Sequence, residues 1–286
     1  MTLPTNRLPF PIPVAVVGPG SQQVEEAEYL AMPNQMDTFA LPGLPDDADP
    51  QNVTAAAALL AALADRMLTP GARPAVLDLL ALPVGVRDVL GQSLGFGEVS
   101  AFTTKPEHWR VQETAFTGLW RVLQIGGDDT HLVDRLEAGE MPDVLAASMR
   151  ANALPDLSPP DMPSGVMNAA ALVEEIRRQA ATWRPGDATH TINLTLLPLS
   201  EVDLDVLYAW LGHREVSILS RGYGNCRITS TRLLNVWWVQ YFNSMDVLIL
   251  NSIEITGMPE VAMASAEDLE DAVPRLRDYV ASLIQE

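Results

Sequence analysis

The sequence repeats itself, without a gap, at an offset of 117 residues. Residues 79–149 laid over 196–266 give 22 identities in 71 aligned positions. The stretch "LLALPVGVRDVLGQSLGFGEVSAFT" then lies on "LLPLSEVDLDVLYAWLGHREVSILS". This matches Leu79 with Leu196, Leu90 with Leu207, Gly95 with Gly212, and Glu98-Val99-Ser100 with Glu215-Val216-Ser217. Further along, Arg110 meets Arg227, Trp120 meets Trp237, Asp129 meets Asp246, Glu137 meets Glu254, and Met141-Pro142 meets Met258-Pro259. An ungapped match of this length points to an internal duplication, so the chain should contain two copies of one fold unit.

Each copy has the same pattern. A helix is expected over 54–67 and over about 168–183, stopped by Pro70-Gly71 and Pro185-Gly186. A strand follows, clearest in "HTINLTLLPL", where Ile192, Leu194 and Leu196 alternate with polar residues. An amphipathic helix over 201–211 stops at Gly212. Three or four strands rich in Val, Ile, Trp and Thr come next, at 215–220, 225–231, 235–242 and 246–255. A Met-Pro pair then opens a closing helix. Helices flanking a run of neighbouring strands give an α+β class with largely antiparallel pairing. The expected organisation is a Pro-rich segment 1–52, a first repeat unit 53–150, a linker 151–164 and a second repeat unit 165–286. The first segment holds nine prolines and should be mostly irregular, with a strand at "IPVAVVG" and a short helix at 22–31.

Several function classes are excluded or weakened by composition. A net charge of -19 repels nucleic acid phosphates and anionic lipid, and favours a basic partner. A single cysteine cannot form an internal disulfide, nor a thiolate zinc or iron–sulfur site. There is no apolar run long enough to span a membrane, and the Pro-broken N-terminus is a poor signal peptide, so a cytoplasmic location is expected. The four histidines lack ligand spacing, and "GPG" at 18–20 lacks the pattern of a dinucleotide site. No catalytic residue, metal or cofactor is assigned.

The densest chemistry lies in "SRGYGNCRITSTRLL", residues 220–234. Strand alternation puts Asn225, Arg227 and Thr229 on one face, and Cys226 and Ile228 on the other. Cys226 replaces Trp109 of the first copy on an apolar face, so it is expected to be a buried structural thiol. Arg227 recurs as Arg110 and is expected to bond a recurrent carboxylate, Asp246 or Glu254. Arg221 and Tyr223 do not recur, and they sit in a glycine-flexed loop of the kind that carries function. Aromatic and amide residues are also concentrated in the second copy. Trp238, Gln240 and Asn243 join Arg221, Tyr223 and Asn225 as candidate partner-binding residues. Alternation places Trp237, Val239 and Tyr241 on one face and Val236, Trp238, Gln240 and Phe242 on the other, without indicating which face is buried.

The stretch "ILSRGYGNCRITSTRLLNVWWVQYFNSMDVLILNSIEITGMPEVAMASAEDLEDAVPRL" resembles the C-terminal module of the HupH/HyaF family of nickel–iron hydrogenase maturation proteins. "GPGSQ" and "MPNQM" resemble that family's opening. The resemblance implies a non-catalytic accessory protein without a cofactor. Its partners would be the iron–sulfur small subunit of an uptake hydrogenase, with its twin-arginine export signal, and other maturation proteins. Two alternatives stay open: an enzyme using "RGYGNCR" as an anion or thiol site in cofactor assembly, and a scaffold that joins maturation factors.

Overall fold

In the computed structural model, residues 43, 48–67, 75–127, 130–222 and 224–285 are described. The strand and helix expected near the N-terminus, the Pro70-Gly71 stop, Asp129 and Tyr223 lie outside them. The first helix, α1 (Pro50–Met67), starts earlier than its apolar periodicity indicates. The Asp49 carboxylate accepts a hydrogen bond from the Gln51 amide at 2.8 Å, and Pro50 is at home in a first turn. Then come β1 (Ala75–Asp78), α2 (Val84–Ser93), β2 (Val99–Thr103), β3 (His108–Glu113), β4 (Leu119–Ile125), β5 (His131–Ala138) and α3 (Asp143–Asn152). The second half follows with α4 (Ala169–Thr182), β6 (His190–Asn193), α5 (Glu201–Leu211), β7 (Val216–Ser220), β8 (Asn225–Ser230), β9 (Val236–Phe242), β10 (Leu248–Ile255) and α6 (Ala266–Gln285).

All ten strands form one sheet in the order β1-β5-β4-β3-β2-β7-β8-β9-β10-β6, with antiparallel pairing throughout. The halves are therefore mirrored about the β2–β7 pair. At the centre of that pair Ala101 faces Ile218, two residues that differ by the repeat offset. The turn hydrogen bonds also recur at that offset. Gly97 N donates to Glu113 O as Arg214 N does to Ser230 O, and Ala115 N donates to Leu94 O as Arg232 N does to Leu211 O. The Trp120 indole donates to Gly139 O as the Trp237 indole does to Thr256 O.

One face of the sheet presents Trp109, Val111, Trp120, Val122, Ile218, Ile228, Trp237 and Val239. These pack beneath Leu145 and Met149 of α3 and beneath Ala262 and Ala264. The other face is covered at its two ends. Helices α1, α2 and α6 lie over Leu119 and Leu136, and α4 and α5 lie over Val236, Trp238 and Ile253. Both faces of β9 are thus buried, which resolves the alternation left open by the sequence.

Two expectations are corrected. The strand in "HTINLTLLPL" ends at Asn193, whose side-chain oxygen accepts from Leu196 N at 3.3 Å and closes a 3-10 turn over Leu194–Leu196. Leu196 is consequently 79% exposed rather than half of an alternating pair. Met258-Pro259 opens a 3-10 turn, Glu260–Ala262, and the long helix begins only at Ala266. That helix then crosses to the first half, where Val273, Leu276, Val280 and Leu283 join the core of α1 and α2. The linker after α3 makes the reciprocal crossing. Leu154 bridges Leu233, Leu157 enters the core of α4 and α5, and the Trp210 indole donates to Ser158 O at 2.9 Å. Each half therefore lends its C-terminal segment to the other.

Candidate functional site

The β7–β8 loop, residues 221–224, is pinned to the first half, because Arg221 N donates to Glu98 O at 3.1 Å. Gly222 lies hard against that glutamate: a Cβ at 222 would collide with Glu98 Oε2. Gly224 has φ +104, a left-handed backbone that glycine adopts without strain. Asn225 opens β8 opposite Phe242. Asn243 starts the β9–β10 turn, its side chain accepting from Met245 N at 2.9 Å and Val247 N at 3.0 Å. Arg221, Asn225 and Asn243 therefore share one rim of the sheet.

Trp238 and Gln240 do not join them. Trp238 is completely buried and stacks on Tyr208 with ring centroids 4.5 Å apart, its indole N–H having no hydrogen-bond partner among the described residues. Gln240 is also buried, and its amide donates to Tyr208 Oη at 3.2 Å and to Asn251 Oδ1 at 3.3 Å. These side chains brace α5 against the sheet and are buried rather than presented at the surface. Tyr208, Asn251 and the half-buried His213, which burial keeps below its ordinary pKa, complete this cluster and were not among the candidate site residues. Their only sequence signal is that the first copy has Gly91, Asp134 and Phe96 at the same offsets.

Cys226 is 1% exposed and packs with Ile228, Trp237 and Val239. Burial pushes its thiol up to about 12, against a hydrogen bond with Tyr241 that acts the other way. At neutral pH it is a thiol rather than a thiolate, so it is a poor nucleophile and a poor metal ligand. Among the described residues, no group of three His, Cys, Asp or Glu is arranged to hold a metal ion.

Arg227 faces away from the core as alternation requires. Its guanidinium lies 4.4 Å from the Phe242 ring centroid and 3.7 Å from Asp246 Oδ1, and Asp246 is largely exposed. Glu254 is on the opposite face of the sheet, opposite Trp237, so it cannot be the partner of Arg227. Burial, and the neighbouring charge of Glu260, raise the Glu254 carboxyl above its ordinary value. The buried arginine–carboxylate pair that the sequence places at Arg227 occurs instead in the first half. There Arg121 grips Asp134 in a fork, Nε to Oδ1 at 3.0 Å and Nη2 to Oδ2 at 2.8 Å.

Beside the β7–β8 loop is a cavity of about 590 Å³ where the two halves meet. Its walls are the start of β2 (Gly97, Glu98), the end of β3 (Glu113, Thr114, Ala115), the loop glycine Gly222, and the segment from Glu260 to Arg275. Glu98, Glu113, Glu260, Glu267 and Asp268 give it five carboxylates against one guanidinium, Arg275. Glu113 is almost completely buried, and burial raises its carboxyl from 4.5 to about 7, although backbone donors led by Gly118 N oppose the shift. Of its charged residues, only the recurring Glu98 stood out in the sequence. The cavity is built from ends of elements far apart in the chain.

Comparison with known proteins places this architecture. The family described as "HupH hydrogenase expression protein, C-terminal conserved region" matches twice, over residues 53–152 and 166–283. The chain is 43% identical over 275 residues to the hydrogenase expression/formation protein HoxQ of Cupriavidus necator, covering 95% of this chain and 97% of that one. It is 42% identical to the hydrogenase expression/formation protein HupH of Rhodobacter capsulatus, covering 96% and 98%. It is 37% identical to the hydrogenase-1 operon protein HyaF of Escherichia coli, covering 70% of each chain. With both of its halves matched by the same conserved region, the chain belongs to the HupH/HyaF family of hydrogenase expression proteins.

Proposed function

We propose that this protein is a non-catalytic chaperone of nickel–iron hydrogenase maturation, holding the iron–sulfur small subunit and its twin-arginine signal in the cytoplasm before export. The observation that carries this reading is the acidic cavity at the junction of the halves, next to the loop of Arg221 and Gly222. A chain of net charge -19 with such a recess is suited to a basic segment of a partner. Its relatives are named hydrogenase expression/formation and hydrogenase operon proteins, which supports a role in hydrogenase maturation. The thiol-enzyme alternative loses its nucleophile, because Cys226 is buried and its thiol is raised to about 12. The matching turns and mirrored strands further support descent of the two halves from one duplicated unit.

The test is affinity capture from hydrogenase-expressing cells, with the small subunit made with and without its signal peptide. The expected result is capture of the signal-bearing form and weaker capture of the truncated one. Recovery of other maturation proteins without any small subunit would favour the scaffold instead.

A further inference from the structure

The two ends of the mirrored sheet offer an internal comparison, because the repeat offset relates the residues of one end to those of the other. At the cavity end stand Gly97, Ala115 and Gly222. At the opposite end the same positions are Arg214, Arg232 and Lys105. The surrounding hydrogen bonds match: Arg221 N to Glu98 O at one end and Thr104 N to Glu215 O at the other, both 3.1 Å. One end therefore carries three cations where the other has three small residues and a void.

The acidic positions behave in the complementary way. Glu215 has Arg214 3.7 Å away, whereas its counterpart Glu98 has no ion-pair partner among the described residues. Glu113 stands where the opposite end has Ser230, whose hydroxyl accepts from Val216 N at 3.1 Å. Glu113 is 4% exposed, lines the cavity, and likewise has no cation within ion-pair distance among the described residues. A buried carboxylate without a countercharge is costly to keep, and it is usually paired or bound to a ligand.

We propose that the cavity is a receptor for a cationic side chain of the partner, arginine in preference to lysine, which takes the place that the protein's own cations occupy at the opposite end of the sheet. Glu98 and Glu113 are its principal acceptors, with Glu260, Glu267 and Asp268 around the mouth. Arginine is preferred because its planar fork satisfies two carboxylates at once, while an ammonium is a compact and strongly hydrated charge. Among the described residues, Arg275 is the single cation in the wall. The proposal rests on the reading that the protein holds a basic segment of a partner, but not on which protein that partner is.

Binding also carries a proton signature. Glu113 faces Glu98, Glu260, Glu267, Asp268 and Arg275 across the cavity. Burial raises the Glu113 carboxyl to about 7, and an arriving guanidinium favours the ionised form and displaces the proton. Affinity should therefore rise with pH between about 5.5 and 8.

The experiment uses the full chain and a labelled, otherwise uncharged extended peptide carrying two adjacent arginines, followed by fluorescence anisotropy. Controls carry two lysines or two citrullines. The arginine peptide should bind, the lysine peptide about tenfold more weakly, and the citrulline peptide not at all. Gly222→Lys and Ala115→Arg install the cations that the opposite end already has, and each should reduce affinity tenfold or more. Gly222 is exposed and not in a left-handed conformation, and its new side chain would meet only the movable Glu98 carboxylate, so that variant should fold. Glu113→Gln should flatten the pH dependence of binding. Parent-like affinity in Gly222→Lys, or equal binding of arginine and citrulline peptides, would overturn the cavity as the receptor. Small-subunit capture measured on the same variants separates the two levels. Capture that survives in Gly222→Lys removes only the cavity, whereas absence of capture by the parent removes the partner reading and leaves the peptide result to decide the cavity.

Discussion

The two halves of this protein share strand order, turn hydrogen bonds and central tryptophans, yet they hold their helices in place by different chemistry. In the second half the N-termini of α4 and α5 meet on one buried carboxylate. Asp203 Oδ1 accepts from the amides of Met167, Asn168 and Ala169 at 2.8–2.9 Å, and Oδ2 accepts from the amide and hydroxyl of Ser200 at 2.9 and 2.7 Å. In the first half the equivalent position is Val86, which packs in the apolar core beneath the borrowed helix α6. The backbone plan therefore survives large changes of side chain so long as each half satisfies its helix ends and fills its core. Divergence is concentrated where the local solution is free to change, and the acidic cavity is one such place.

The sharpest way to break this comparison is Asp203→Ala. It removes an acceptor of five hydrogen bonds and leaves buried donors at two helix starts, which should cost about 3–4 kcal/mol and lower the melting temperature by many degrees. Val86→Ala, its counterpart, should cost less, about 1–2 kcal/mol, because only methyl groups are lost. The pH dependence should differ as well. Burial acts to raise the Asp203 carboxyl, but donors at Ser200, Ala169 and Asn168 outweigh it and hold the group well below its ordinary value of 3.8. A depressed carboxyl contributes stability that is fully present above that ordinary value and lost as pH falls below it. Parent and Asp203→Ala melting curves should therefore converge in acid, below about pH 4, and a gap unchanged down to pH 2 would contradict the assignment.

Next in size is Arg121→Ala. Asp134 is almost completely buried, and loss of the fork leaves its charge uncompensated, at a cost of about 2–4 kcal/mol. The second half has Trp238 and Asn251 at these two positions and needs no ion pair there. Arg121→Ala combined with Asp134→Asn, which moves the pair toward the uncharged solution of the second half, should recover much of the loss. A double variant no more stable than Arg121→Ala would show that the two networks are not alternatives.

Much of the repeated architecture was legible because it rests on local signals. The strand starts and stops over 215–255 follow from β-branched and aromatic runs between turn residues, and the α5 boundaries follow from a Ser-x-x-Asp cap and Gly212. The crossing of α6 to the first half was not legible, since nothing in the apolar stripe of a helix says which core receives it. The long-range association is visible only in contacts such as that of Leu269 with Gly118, where a Cβ on the glycine would clash. The same limit applies to the site. Arg221 and Asn225 could be picked out as polar residues at strand ends, but burial of Trp238 and Gln240 depends on the position of α5. The pairing of Arg121 with Asp134 is an accident of register between β4 and β5 that a lone Arg or Asp does not announce.

Cys226 offers a smaller effect. Cys226→Ala should cost about 1–2 kcal/mol through a small cavity beside Trp237, and leave partner capture unchanged. Thiol reagents should label the native chain only slowly, because reaction needs both opening of the core and a thiolate that burial disfavours. Rapid labelling of folded protein at pH 7 would move Cys226 out of the core and revive a thiol function for the second half.

The smallest thermal effect is expected at the rim, where the two recurring or neighbouring arginines should separate binding from folding. Arg227 recurs as Arg110, and the sequence makes it a stabilising partner of a buried acid. Its carboxylate, Asp246, is in fact 71% exposed and 3.7 Å away, so solvent screens the pair. Packing of the guanidinium over Phe242 adds about 0.5–1 kcal/mol. Arg227→Ala should therefore shift the melting temperature by only a few degrees, far less than Arg121→Ala. Arg221, in the loop that closes one side of the acidic cavity, has Thr104 as its counterpart and no inherited role in the repeat. Arg221→Ala should leave the melting temperature nearly unchanged and still weaken capture of the hydrogenase small subunit several-fold, and Arg221→Lys should restore part of it. Binding and thermal unfolding measured on the same variants decide the matter. If Arg221→Ala captures as the parent does, the loop only walls the cavity, and recognition belongs to the carboxylates behind it.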